Sequence, residues 1–391
     1  MKNFQWPYFA ADEVAAVNKV LRSGKVNYWT GEECKLFEKE YAEYLQVPYC
    51  LALANGTAAL ELALYALGVG IGDEVIVPAR TFIATASCVI ARGAKPIVAD
   101  IDKNSQNITV NTIARVITPR TRAIVVVHLA GWPCDMDSIM TLAKKYGLKV
   151  IEDCAQAHGA SYKGKSVGSF GDAAAFSFCQ DKIITTGGEG GLLVLHDMEL
   201  WKKAWSYKDH GKNYELTVAQ AASTAAFKWI HDSFGTNWRM TEMQAAIGRL
   251  QLKKLSNWVK IRQRNAAILA LFFEKFQALR VTKPSKDCFH AYYKYYVFVR
   301  KEMLRKGWDR NRIVGEIKKQ GVPCFVGNCP EIYREKAFVN AGLIPKARFR
   351  IAKELGESSL MFLVHPTLTE EYMQTMCQKI EEVLQNAIRF T

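Results

Sequence analysis

Between residues 50 and 200 the chain alternates short apolar runs with stretches of helical periodicity. YCLALA precedes NGTAALELALYALG, DEVIVPA precedes TFIATASCVIARG, and KPIVADI precedes a polar stretch containing TVNTIARVI. RAIVVVHL then leads to DMDSIMTLAKKYG, and KVIEDCA to a loop before DAAAFSF and GGLLVLH. Strands with no polar alternation must be buried on both faces, and helices between them return the chain for parallel pairing. The predicted fold class is therefore α/β, with a mainly parallel sheet flanked by helices. In open sheets of this kind ligands sit beyond the carboxyl ends of the strands. Asn55, Phe82, His128 and Asp153 fall at or just after such ends.

The character changes near Asn237. GTNWRMTEMQAAIGRLQ carries a capping box, with Thr241 as N-cap and Gln244 three residues on. A long helical pattern follows, with Ile247, Leu250, Trp258 and Ile261 at helical spacing. YYKYYVFV reads as a strand, DRNRIVGEIKKQG as a helix capped by Asp309 and closed by Gly321, and the last amphipathic helix starts at Thr369. A chain of 391 residues exceeds one compact core. The pattern change places the boundary near residue 255, giving a large domain over 1–255 and a smaller α+β domain over 256–391.

Composition excludes several classes. With 49% hydrophobic and 23% charged residues the chain is globular, not disordered. No apolar run is long enough to span a bilayer, and the N-terminus lacks a secretory h-region. No two of the ten cysteines stand at CxxC spacing, which argues against zinc, iron–sulfur or disulfide frameworks and for free thiols in a reducing cytoplasm. No metal site is expected. The net charge of +14 is spread along the chain without a nucleic-acid-binding signature; solvated surface, with a minority serving an anionic substrate, accounts for it.

The chemistry concentrates between Ile151 and Gly191. In IEDCAQAHGA, Asp153 ends a hydrophobic run; Lys182 follows 29 residues later, after FSFCQD and before IITTGGEGG. An acid for a ring nitrogen, an amine for an aldehyde and glycines for close approach are the parts that hold pyridoxal phosphate (PLP). Lys182 would form the imine and later move a proton, tasks that require the amine to lose its own proton within the site. Asp153 would keep the pyridine nitrogen protonated, and Gln156 would hydrogen-bond the ring hydroxyl. Asn55, Gly56, Thr57 and Ala58 form a strand-to-helix turn whose N–H groups favour a phosphate, and Ser177 offers a hydroxyl to the same group. Phe82 is placed to stack on the ring, against the alternative of plain core packing. His158 could act as an acid or base but reads better as structural, because Lys182 already supplies that function; His128 reads the same way.

On these residues the chain resembles the DegT/DnrJ/EryC1/StrS family of PLP-dependent sugar aminotransferases, of the aspartate-aminotransferase fold (fold type I). The resemblance runs through TGEECKLFEKEYAEYL, NGTAALELAL, PARTFIATASCVIARGAKPIVADID, HLAGWPCDMDSI, EDCAQAHGA, FSFCQDKIITTGGEGG, GTNWRMTEMQAAIGRLQ and HPTLTEE. It implies a large domain with a seven-stranded type of sheet, Lys182 as the internal-aldimine lysine, Asp153 as pyridinium partner, Gln156 at the ring hydroxyl, and Gly56, Thr57 and Ser177 at the phosphate. It also implies a homodimer in which Asn237, in NWRM, reaches the phosphate of the neighbouring site. Two departures stand near the cofactor: HLAG where HLYG is commoner, and CQDK where HPxK or YPxK is frequent.

The function this implies is transfer of an amino group from L-glutamate, through pyridoxamine phosphate, to a keto group of a nucleotide-linked sugar. A 4-keto-6-deoxy sugar in surface-polysaccharide synthesis is the preferred substrate from family frequency, with a 3-keto sugar or a cyclitol as alternatives. A PLP-dependent sugar dehydratase, or a carrier that keeps the fold without turnover, are the competing classes; Lys182 weighs against the dehydratases, which replace it with histidine. No nucleic-acid or membrane partner is expected.

Overall fold

The computed structural model describes residues 5–220 and 229–389. Its centre is a seven-stranded sheet. In spatial order the strands are Tyr49–Leu53, Gly191–Leu195, Ala173–Ser177, Lys149–Asp153, Thr121–Val127, Glu74–Pro78 and Lys95–Ala99. Gly191–Leu195 pairs antiparallel with both neighbours, and every other pairing is parallel. The strands lack polar alternation because both faces are covered. Along Gly191–Leu195, Leu193 and Leu195 enter a core built on the helix Gly56–Ala66, while Leu192 and Val194 enter a second core with Phe37, Tyr41 and Phe176.

The smaller sheet is antiparallel throughout, in the order Leu279–Val281, Tyr295–Val299, Ser359–Phe362, Cys324–Phe325. Its alternation separates two environments. Tyr295, Val297, Val299, Leu360 and Phe362 pack with Ile313 and Ile317 of the helix Arg310–Lys319 and with Met373 and Ile380 of the helix Glu370–Ala387. Tyr296, Phe298 and Met361 belong instead to the core of the large sheet.

Local capping signals act as the sequence indicates. The Thr241 side chain accepts the Gln244 N–H and begins a 32-residue helix, Glu242–Phe273. Asp309 and Thr369 cap the helices that follow them. The long helix runs through residue 255: Leu255 and Val259 pack in the core with Phe37 and Phe176, Leu269 and Phe273 in the core of the antiparallel sheet. The strand read from YYKYYVFV is shorter than the pattern suggests, covering Tyr295–Val299 only. Tyr292 takes a positive φ of 47°, and Ala291 and Tyr293 donate their N–H groups to Gly131 and Ala130 instead of to a sheet neighbour. Tertiary pairing has overridden β propensity there.

Candidate active site

Asp153 is the last residue of its strand and lies opposite Ala175 on the neighbouring strand, which ends at Ser177. Adjacent parallel strands thus deliver the acid and the hydroxyl to one edge of the sheet. The Asp153 carboxyl is buried; Oδ2 accepts the Thr85 hydroxyl at 3.0 Å and Oδ1 the Ala155 N–H at 3.2 Å. Burial pushes its pKa above the usual aspartate value, against these two donors and the Lys182 charge. Lys182 follows Ser177 on a loop and is partly exposed, with Nζ 5.1 Å from the centre of the Tyr293 ring.

Gln156 is also buried, and its Oε1 accepts the Ala130 N–H at 2.8 Å. A backbone N–H can bond only the oxygen end, so the amide orientation is fixed with its NH2 group as the remaining donor. Ala130 adopts φ 56°, ψ 11°. A left-handed alanine is strained relative to glycine, and hydrogen bonds at both its N–H and C=O hold it there.

The phosphate turn is built by close approach. A Cβ on Gly56 would lie 2.6 Å from Ser177 Cβ, and one on Gly191 would lie 2.2 Å from the Asn55 carbonyl oxygen. Only glycine lets these backbones meet, and the result brings Gly56 against Ser177. Asn55 caps the helix Gly56–Ala66 by accepting the Ala58 N–H at 2.9 Å. Ala58 therefore has its donor engaged within the cap, and the N–H groups of Gly56 and Thr57 are those at the open first turn. Thr57 and Asn237 are exposed, Asn237 with its backbone bridged to Asp209. Phe82 is 66% exposed, which removes core packing as the reason for its ring.

Both histidines are structural. His158 donates from Nε2 to the Ser177 carbonyl at 2.8 Å and accepts the Tyr41 hydroxyl at Nδ1, 2.7 Å away. Burial, with the Lys182 and Arg262 charges, lowers its pKa to about 3, so it stays neutral and fixes the strand end that carries Ser177. His128 accepts the Cys134 N–H at Nδ1 and donates from Nε2 to Glu152. Glu152 also accepts the N–H groups of Gly168, Phe170 and Gly171. His128, Glu152 and Cys154 lie close enough together for a metal, yet the histidine and glutamate donor atoms are all committed to this network.

Sequence reasoning missed Thr85 and Tyr293. Thr81 and Thr85 share a hydroxyl hydrogen bond of 2.9 Å, and their i, i+4 spacing around Phe82 was the available signal for Thr85. Tyr293 was hidden inside an aromatic run that reads as strand.

A mainly parallel sheet thus presents a buried aspartate and a loop lysine at its carboxyl edge, beside a glycine-tightened helix N-terminus. Comparison makes the assignment: residues 7–381 match the model of the DegT/DnrJ/EryC1/StrS aminotransferase family, and the chain belongs to it. The chain is an aminotransferase. It is 36% identical over 377 residues to the GDP-perosamine synthase of Escherichia coli O157:H7, covering 96% of each chain. It is 35% identical over 369 residues to the dTDP-3-amino-3,6-dideoxy-alpha-D-galactopyranose transaminase of Aneurinibacillus thermoaerophilus, with 93% of each covered. An aminotransferase structure from Psychrobacter cryohalolentis superposes with a TM-score of 0.95 at 54% identity, covering 98% of both chains. An aminotransferase from Streptococcus pneumoniae, 25% identical to this chain, has been solved in a PLP form and a PMP form, with TM-scores of 0.85 and 0.88. Among the described residues no helix is long and apolar enough to cross a membrane.

Proposed function

We propose that this enzyme transfers the amino group of L-glutamate to a keto carbon of a nucleotide-linked sugar, with PLP held by the residues above. A 4-keto-6-deoxy sugar is the substrate we favour. The observation that carries the reading is Asp153, a buried carboxyl at a strand end within electrostatic reach of Lys182. The residues fit PLP in three further ways. The Gly56 and Thr57 N–H groups and the Ser177 hydroxyl suit a phosphate, the free NH2 of Gln156 suits a phenolate oxygen, and the exposed Phe82 ring is available to stack. When bound, PLP supplies an electron sink for the carbon that loses or gains a proton.

The chain's own groups then have distinct tasks. Asp153 holds a proton on the ring nitrogen, and Thr85 and Ala155 fix the direction of its carboxyl. Lys182 carries the proton between substrate carbon and cofactor as general base and acid. Neutral His158 holds Ser177 in register without competing for that proton. Asn237 completes the phosphate site of a second copy, making the working unit a homodimer. Relatives that act on GDP- and dTDP-linked sugars support a nucleotide-sugar acceptor.

The test is an absorbance spectrum of the purified protein before and after L-glutamate. A yellow band that bleaches with glutamate and returns with a keto-sugar nucleotide is the expected result. A protein that stays colourless with added PLP rejects the reading, and a yellow protein indifferent to glutamate points to another donor or to a dehydratase.

A further inference from the structure

The Lys182 backbone and the preceding residue are both held by residues distant in sequence. On one side, the Lys182 carbonyl accepts the Trp6 indole N–H at 3.0 Å. On the other, the Asp181 carboxylate accepts the Tyr293 hydroxyl at 2.5 Å and lies 3.3 Å from Lys294 Nζ. Tyr293 is itself fixed at its backbone, its N–H donating to Ala130 and its carbonyl accepting from Arg262. The Ala130 N–H in turn meets Gln156. A continuous path therefore links Gln156 to the residue before Lys182. The path passes through Ala130, the alanine that stands in HLAG where HLYG is commoner.

The charges around this path are unbalanced. The Tyr293 ring has Lys182 Nζ 5.1 Å and Lys294 Nζ 4.5 Å from its centre. Arg262 is fully buried, with Nε and one terminal nitrogen lacking a hydrogen-bond partner, and it stacks on Trp6. Asp181 is the carboxylate in contact with this group; the Lys182 charge also acts on Asp153 and on neutral His158, and the Cys179 thiol is 3.9 Å from Asp181. Burial alone would raise the Asp181 pKa, but Lys294 and the Tyr293 hydroxyl outweigh it and hold the group below the usual aspartate value. Lys294 is buried enough to be lowered, which makes it sensitive to the loss of this partner.

We propose that Asp181, clamped by Tyr293 and Lys294, is a positioning residue for Lys182: it fixes the loop that carries the amine and balances the positive charge behind it. This rests on the reading of Lys182 as the cofactor-binding amine. The aspartate side chain is half exposed, so Asp181→Asn changes charge without opening the core. Lys294→Gln removes the opposite charge, and Lys294→Arg keeps it.

The first readout is the pH midpoint of the absorbance change of the PLP-loaded protein. Asp181→Asn is expected to lower it by about 1 unit and Lys294→Gln to raise it by about 1 unit, with Lys294→Arg close to the parent. Shifts of the same sign in the first two variants, no shift in either, or a Lys294→Arg midpoint as high as that of Lys294→Gln overturn the proposal. The second readout needs no cofactor: pulse acetylation of the apo protein with acetic anhydride across pH, with the Lys182 peptide quantified by mass spectrometry. The same order of midpoints is expected, and an unchanged order-free profile rejects the proposal. Failure to take up PLP would reject the proposed function while leaving this second measurement decisive.

Discussion

Glu152 and Asp153 are adjacent on one strand, both buried, and they live in opposite environments. Glu152 receives four hydrogen bonds, from His128 and from the N–H groups of Gly168, Phe170 and Gly171. Burial raises its pKa, but these donors prevail and hold it below the usual glutamate value. Asp153 receives two, and burial prevails: its pKa is raised. The period of two along a strand sends neighbouring side chains to opposite faces. One face is closed by a loop that ties up the carboxylate; the other opens on the site and leaves the carboxylate under-satisfied. The difference teaches that burial alone does not mark a functional acid. A shortage of donors marks a candidate, because a carboxylate with few donors still has capacity for a cationic ligand.

Substitution should separate the two acids. Asp153→Asn is expected to cost the largest effect, on the order of 10² to 10³ in kcat, measured in a glutamate-dependent half-reaction. Its folding stability should hold or rise at neutral pH. The sign follows from linkage: an acid with a raised folded pKa binds more protons folded than unfolded between the two values, so its charged form costs stability above them. Glu152→Gln should do the reverse, losing about 3 kcal/mol in urea unfolding, because an NH2 would face N–H donors. If Asp153→Asn proves the less stable variant, the comparison fails.

The pH dependence sharpens it further. His158, His290 and His365 are each lowered by burial to about 3 from an ordinary 6.5. The unfolded chain then binds more protons between those values, so stability should be full above pH 6.5 and fall as pH drops toward 3. Denaturation series from pH 7 to 4 would show this slope, and His158→Gln should reduce it. Thr85→Val should give a smaller effect, about tenfold in kcat, by removing one of the Asp153 donors without unfolding the site. The smallest is Asn55→Ala, expected to lower stability by about 1 kcal/mol through loss of the Ala58 cap, read as a shift in the urea midpoint.

Much of this was legible in one dimension. Apolar runs without alternation specified a sheet covered on both sides, because no other environment accepts them. Capping residues Thr241, Asp309 and Thr369 marked helix starts, because a cap is a contact over three residues. Asp153 and Lys182 stood out in the sequence as an acid and an amine in a glycine-rich setting, and the fold brings Asp153 to a strand end within electrostatic reach of Lys182. Ala58 was less legible: whether its N–H faces a ligand or a cap depends on the Asn55 side chain.

Tertiary structure alone decided which polar groups meet. Gly56 touches Ser177, Thr85 touches Asp153, and Tyr293 touches Asp181, each pair separated by at least 68 residues. Periodicity fixes the face on which a side chain sits, since it depends on backbone geometry over a few residues. The partner on that face depends on how distant elements pack, and no local pattern carries that information.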